Sequence, residues 1–224
     1  LTERRSTVAV IGGTGALGSG LAQRLARAGY GVIIGSRTVE KAAHTAAAIT
    51  PAKGGPPARG MSNADAAGAA DIVLLAVPYA THASILADIR EATQGKILID
   101  ASVPLVPPDV GTVRTPPEGS AAQAAQRILG EGVFVVSAFQ NVAAHKLKKS
   151  GVIACDVLVC GDKKSARDTV IALVDSLGLR ALDAGPLANS IAAEALTSVL
   201  ININRRYKAG GAGIQITGVP RPDL

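Results

Sequence analysis

The stretch VAVIGGTGALGSGLAQRLARAGYGVIIGSR, Val8 to Arg37, decides the fold. Val8–Ile11 is a short apolar run that ends on glycines, the pattern of a strand buried on both faces. From Leu17, apolar residues recur at Leu21 and Leu25 with Ala22 and Ala26 beside them, a helical stripe that Gly29 stops. Val32–Ile34 is a second buried strand. At the strand-to-helix junction, Gly13-Thr14-Gly15-Ala16-Leu17-Gly18 fits G-x-G-x-x-G. Glycine there lets the backbone approach a pyrophosphate, and the helix start presents N–H groups and a partial positive charge to it. Thr14 adds a hydroxyl within the loop.

The end of the second strand selects the nucleotide. NAD sites place an Asp or Glu about 20 residues beyond the loop, where it accepts the ribose 2′-OH. This chain has Ser36-Arg37 instead, with Lys41 four residues further, one turn into the next helix. A guanidinium forks two oxygens of a 2′-phosphate, an ammonium supplies a point charge, and a serine hydroxyl donates one more bond. The expectation is NADP.

Outward from this unit the pattern repeats. Glu40–Ile49 reads as a helix, and the segment PAKGGPPARG after it as a loop. NADAAGAADIVLLAVP gives a helix and then the strand Ile72–Val77. Thr81–Glu91 is a helix, Lys96–Ser102 a strand, and Val103–Gly119 a loop with five prolines. Ser120–Leu129 is a helix and the run from Val133 a strand. Alternating strands and helices imply a parallel sheet with right-handed crossovers, an α/β doubly wound fold of Rossmann type over residues 1–150. Residues 151–224 are expected to form a small C-terminal α/β lobe against it. That lobe carries the strand VLVCGD, a helix Lys163–Leu177, an extended segment RALDAGPL and a long helix Asn189–Lys208. The last helix aligns Ile191, Ala195, Leu196, Val199, Leu200 and Ile203 on one apolar face, and the segment GGAGIQITGVP after it reads as a hinge and a final strand.

Composition narrows the function. Aromatics are 2% of the 224 residues with no Trp, which argues against a base-stacking nucleic-acid module. The net charge of +6 comes from small scattered clusters, read first as solvated surface; a basic balance also suits nucleic acid and, equally, a ligand carrying several phosphates or carboxylates. No apolar run approaches the roughly 18 residues of a membrane span, and Cys155 and Cys160 have neither a disulfide nor a zinc pattern around them. The expected setting is a reducing cytoplasm. His82 follows a strand end where it could face the crevice, although a lone His at such a position is more often an exposed helix residue; His44 and His145 have no evident partner. No Ser-His-Asp set, carboxylate pair, metal set or Tyr-x-x-x-Lys is present, so no catalytic side chain is assigned. Passing a hydride between two redox cofactors needs mainly proximity and orientation, because the cofactors carry the chemistry.

The stretches GGTGALGSGLAQRLARAGYGVIIGSR, GMSNADAAGAADIVLLAVP, PLVP, VVSAF, VCGD and LDAGPLANS resemble the NADPH-dependent reductases of coenzyme F420 along nearly the whole chain. The resemblance implies reversible hydride transfer between nicotinamide C4 and deazaflavin C5, with the two rings stacked in the cleft of a homodimer. It implies NADP contacts at Thr14, Gly15, Ala16, Leu17, Ser36, Arg37, Lys41, Val77, Val103 and Ala144. It places the deazaflavin against the Val103–Val106 loop and against Gln140, Asn141 and Val142, under the C-terminal helix. Gln140 stands where some members carry histidine; it still donates a hydrogen bond but does not titrate. The domain also resembles the reductase portion of membrane ferric reductases, which use a flavin. A non-enzymatic NADP sensor whose last helix docks a partner is the third reading.

Overall fold

The computed structural model describes residues 6–220. Eight strands form one sheet in the order β3-β2-β1-β4-β5-β6-β7-β8. They are β1 (Thr7–Ile11), β2 (Gly31–Gly35), β3 (Arg59–Met61), β4 (Ile72–Leu75), β5 (Ile97–Asp100), β6 (Phe134–Ser137), β7 (Asp156–Gly161) and β8 (Arg180–Asp183). The first six run parallel, β7 pairs antiparallel with β6, and β8 returns parallel to β7. This is a Rossmann-type sheet lengthened at one edge. The sheet changes direction between β6 and β7, and β7 is hydrogen-bonded to β6, so one sheet runs across residue 150.

Period-two alternation distributes the strand residues between two cores. Val8 and Val10 of β1 point to one face, where they meet Leu21 and Leu25 of α1 (Ala16–Arg27) and Ala42 and Ala46 of α2 (Val39–Ala47). The same core continues to Leu147 of α6 (Ala144–Leu147) and Val170, Leu173 and Val174 of α7 (Lys164–Ser176). Ala9 and Ile11 point to the other face, with α3 (Asn63–Gly68), α4 (Tyr79–Ile89) and α5 (Ala121–Leu129). Each fully buried Ile or Leu contributes on the order of 2 kcal/mol of transfer free energy, which suits the buried, wholly apolar run of β1 after Thr7.

Two expectations are corrected. The loop after α2 contains the edge strand β3, whose three residues pair with Ile33–Gly35. The final strand expected near residue 216 does not form. That segment is held by one backbone bond and by side chains instead: the Asp156 amide donates to the Ile214 carbonyl at 2.8 Å, Asp156 Oδ2 accepts the Ile216 amide at 2.6 Å, and the Arg180 guanidinium, ion-paired with Asp156, donates to the carbonyls of Ile216 and Val219.

The last helix, α8 (Ser190–Tyr207), lies with its small and polar residues inward: Ser190, Ala193, Glu194, Ser198 and Leu200 are buried. Ile191, Val199 and Ile203 of the apolar stripe are exposed, Val199 at 45%. Small residues let α8 approach α5 and β7 closely, so the larger aliphatic ones are left on the outside.

Candidate functional site

The chain reverses its winding direction between β1 and β4, and a crevice opens at the carboxyl ends of these strands. The glycine loop forms its floor. Gly12, one position before the motif, makes the turn with φ +78°, and its own Cβ would strike Ala76 and Val77. Gly18 lies against Gly12 and Gly13, so a side chain there would push helix from loop. Gly15 differs: it is exposed, and a Cβ would meet only the Gly12 carbonyl at 3.3 Å. Its open side is the space a pyrophosphate needs. The first intrahelical bond runs from the Ser19 amide to the Gly15 carbonyl at 2.9 Å, which leaves the Ala16, Leu17 and Gly18 amides at the free helix start. Gly15→Val is expected to leave thermal unfolding within about 1 kcal/mol of wild type while abolishing NADPH binding by fluorescence titration. Retained affinity would place the pyrophosphate elsewhere.

Ser36 is nearly buried at the end of β2, and its Oγ accepts the Thr38 amide at 3.2 Å. Arg37 and Lys41 are exposed, and among the described residues neither has a carboxylate within ion-pair distance. Both cations are therefore free for an anion. Beside them a surface hollow of about 380 Å³ runs between the loop and α2, lined by Thr14, Glu40, Lys41, His44 and Thr45. His44 escapes sequence reasoning because its neighbour in this hollow, Thr14, is thirty residues away.

Across the crevice, Val77 is buried after β4, while Val103 beyond β5 and Ala144 at the start of α6 are half-buried. Helix α6 lies on α1 so closely that a Cβ on Gly20 would sit 2.8 Å from Leu147 Cβ. Gln140, Asn141 and Val142 are buried on the turn after β6, whereas Val106 is exposed. The Asn141 amide is already committed: Nδ2 donates to the Asp156 carbonyl at 2.7 Å and to Cys155 Sγ at 3.2 Å.

His82 is not the exposed residue expected. It is 2% exposed, and its Nε2 lies 2.7 Å from Oδ2 of Asp100, itself wholly buried at the end of β5. Tyr79 stacks on its ring with centroids 5.7 Å apart. Helix α8 closes the far side: Thr197 Oγ1 donates to the Gln140 carbonyl at 2.9 Å, and Asn202 Nδ2 to the Gly111 carbonyl at 2.5 Å. Among the described residues no group of three or more His, Cys, Asp and Glu side chains is placed to hold a metal ion.

One anchor of α8 titrates. The Glu194 carboxyl accepts the Ala121 and Ala122 amides at 2.7 and 3.1 Å, capping α5 from another helix, while Ser190 Oγ donates to Ser120 Oγ at 2.7 Å. Burial pushes this carboxyl up from 4.5 to about 8 against the pull of the two amides, with Asp100 adding to the rise. Between those values the native state holds a proton that the unfolded chain has lost, so the contribution to stability is complete below about 4.5 and is lost as pH rises through about 8. The slope is at most about 1.4 kcal/mol per pH unit. Urea unfolding of wild type and Glu194→Gln from pH 5.5 to 8 is expected to show the wild type losing ground steadily; a pH-independent difference would mean an ordinary carboxyl.

Known proteins match this architecture. Residues 7–104 fit the family model described as NADP oxidoreductase, coenzyme F420-dependent. An F420-dependent NADP reductase of Methanothermobacter thermautotrophicus is 42% identical over 224 residues, covering 96% of this chain and 97% of that protein. The chain belongs to this family. The crystal structure of a putative F420-dependent NADP-reductase from Arthrobacter sp. FB24 superposes with a TM-score of 0.79 at 28% identity, over 95% of this chain and 99% of that one. A metalloreductase of Rattus norvegicus is 29% identical over 188 residues, 81% of this chain but 36% of that protein. Among the described residues no helix is long and apolar enough to cross a membrane.

Proposed function

We propose that this oxidoreductase passes a hydride between NADP(H) and coenzyme F420 held together in the crevice. The observation that carries the reading is the 42% identity along 96% of the chain, which takes in both the nucleotide half and α8. The residues present fit the two cofactors. Gly15 leaves room for a pyrophosphate; among the described residues Arg37 and Lys41 have no ion-pair partner, and buried polar atoms of Ser102 and Gln140 lack hydrogen-bond partners just beyond β5 and β6. The cofactors supply donor and acceptor: NADPH, oxidised F420 and one proton become NADP⁺ and reduced F420. The chain binds, orients and excludes water. Thr14, Gly15, Ala16 and Leu17 seat the pyrophosphate, and Ser36, Arg37 and Lys41 the adenosine phosphate. Val77, Val103 and Ala144 flank the nicotinamide, with Val106 and Gln140–Val142 on the deazaflavin side. No side chain is assigned a covalent or proton-transfer role.

The exposed stripe Ile191, Val199 and Ile203 points to a homodimer, because α8 also holds the neighbouring loop that exposes Val106 and Val113. Val199→Glu is expected to yield a monomer by light scattering, and an unchanged mass would rule this face out. Two buried, unpaired cysteines accord with a reducing cytoplasm. The activity is tested by mixing the protein with NADPH and oxidised F420 and following deazaflavin absorbance. No turnover at high enzyme concentration rejects the reading, and turnover with FAD or FMN alone moves the assignment to a flavin reductase.

A further inference from the structure

Just beyond the carboxyl ends of the paired strands β5 and β6, two buried polar atoms have no hydrogen-bond partner among the described residues, Ser102 Oγ and Gln140 Oε1; a third, Asn63 Oδ1, lies apart from them at the start of α3. The residues are 3% and 5% exposed. Folded chains rarely leave such atoms orphaned, because each forfeits its hydration without replacement. An unexplained pair at one crevice therefore calls for a group from outside the chain.

Both residues are tied to Asp100. The Ser102 amide donates to Asp100 Oδ1 at 2.9 Å, and Gln140 Nε2 donates to the Asp100 carbonyl at 2.8 Å and to Ser137 Oγ at 2.8 Å. The second pair of contacts fixes which way the Gln140 amide faces, since its oxygen turned toward the Asp100 carbonyl would meet another acceptor. His82 holds the remaining Asp100 oxygen at 2.7 Å, and Thr197 of α8 holds the Gln140 carbonyl. Phe139, just before Gln140, is fully buried with φ 75°. A bulky residue persists in that left-handed region only where its surroundings impose it. His82, Ser102 and Gln140 thus converge on Asp100, with Thr197 fixing the Gln140 backbone, to orient one hydroxyl and one amide oxygen.

The chemistry of the pair is complementary. A hydroxyl donates, an amide oxygen only accepts, and adjacent strand ends are about 4.8 Å apart. We propose that Ser102 Oγ and Gln140 Oε1 form a donor–acceptor pair that reads an amide edge, a C=O beside an N–H, on a cofactor ring seated at the ends of β5 and β6. This rests on the reading of function above. Two rings of that reaction carry such an edge: the nicotinamide, in its carboxamide, and the deazaflavin, in its pyrimidine. Shielded from bulk water, the two bonds gain strength. Asp100 and His82 act as positioning residues behind them.

The test is Ser102→Ala, with Ser102→Thr to retain the hydroxyl, read by the thermal midpoint of the free protein and by fluorescence titration of NADPH and of F420 separately. Removing an orphaned hydroxyl is expected to leave the midpoint unchanged or raised, and to weaken one of the two ligands by about tenfold, with Ser102→Thr recovering most of it. Loss confined to NADPH assigns the carboxamide; loss confined to F420 assigns the pyrimidine edge. A lowered midpoint, or two unchanged affinities, overturns the proposal. Failure of the wild-type protein to bind F420 overturns instead the function proposed above, and the NADPH titration still decides whether the pair reads the carboxamide.

Discussion

Replacing Arg37 with Asp is expected to raise the Kd for NADPH by about 10²- to 10³-fold while moving that for NADH by no more than about threefold. The change removes a charge-assisted pair of hydrogen bonds and puts a negative group where the 2′-phosphate would sit. The loss draws on both effects, because Arg37 is exposed and, among the described residues, engaged by no carboxylate. In the free protein nothing is broken, so thermal unfolding should hardly move. Exposure also makes the effect sensitive to salt: with a screening length near 8 Å at physiological ionic strength and near 3 Å at 1 M, the penalty should shrink at high salt. Lys41→Ala should cost less, about tenfold, since a point charge lacks the guanidinium's two-pronged geometry. Titration of both dinucleotides at low and high salt checks this. Equal losses for NADPH and NADH would show that Arg37 does not select the phosphate.

The nucleotide half was legible because its determinants are local. Strand, glycine turn and helix lie within residues 7–27, and each is recognised by spacing alone. What escaped depends on distant partners. His82 reads as a surface residue until Asp100, eighteen positions on, is placed beside it by the pairing of β4 with β5. The apolar stripe of α8 is visible in sequence, but its direction is not, because the buried face is set by Ala193, Ser198 and the reach of Glu194 to α5. The edge strand β3 is three residues long, starts two residues after Pro56-Pro57, and has no alternation to detect. Residues near 216 do alternate like a strand, yet their backbone bonds go to Asp156 and Arg180 rather than to a ladder. The orphaned Ser102 and Gln140 show no signal in sequence at all; only a complete account of hydrogen bonds reveals them.

Arg24 is the clearest instance, and its removal is expected to be the most destabilising single change. In the helical pattern it is a polar position between Leu21 and Leu25, yet it is only 6% exposed. Burial lowers its pKa, assisted by the charge of Arg27. Its guanidinium has five N–H groups, and five carbonyls surround it. Nε donates to Leu147 at 3.0 Å, one terminal nitrogen to Gly151 at 3.0 Å and Leu177 at 2.6 Å, and the other to Lys149 at 2.7 Å and, at a long 3.5 Å, Lys146. One side chain thereby ties α1 to the end of α6, to the following loop and to the end of α7. Arg24→Met retains the aliphatic packing and strands these acceptors. The Leu147 and Leu177 carbonyls lie in buried bonds, where an unmet acceptor costs about 1–3 kcal/mol; the others can recover water. A loss of about 3–5 kcal/mol is expected, or roughly 10 °C in Tm for a chain of this size. Lysine at this position should recover little, having three donors on a point charge. Because Ala144 begins the same helix α6, Kd for NADPH should also rise several-fold at temperatures where the variant is still folded. Urea unfolding with NADPH titration separates the two effects. A variant within 1 kcal/mol of wild type would mean that water replaces the guanidinium, and that the junction of α1, α6 and α7 is held by apolar contact alone.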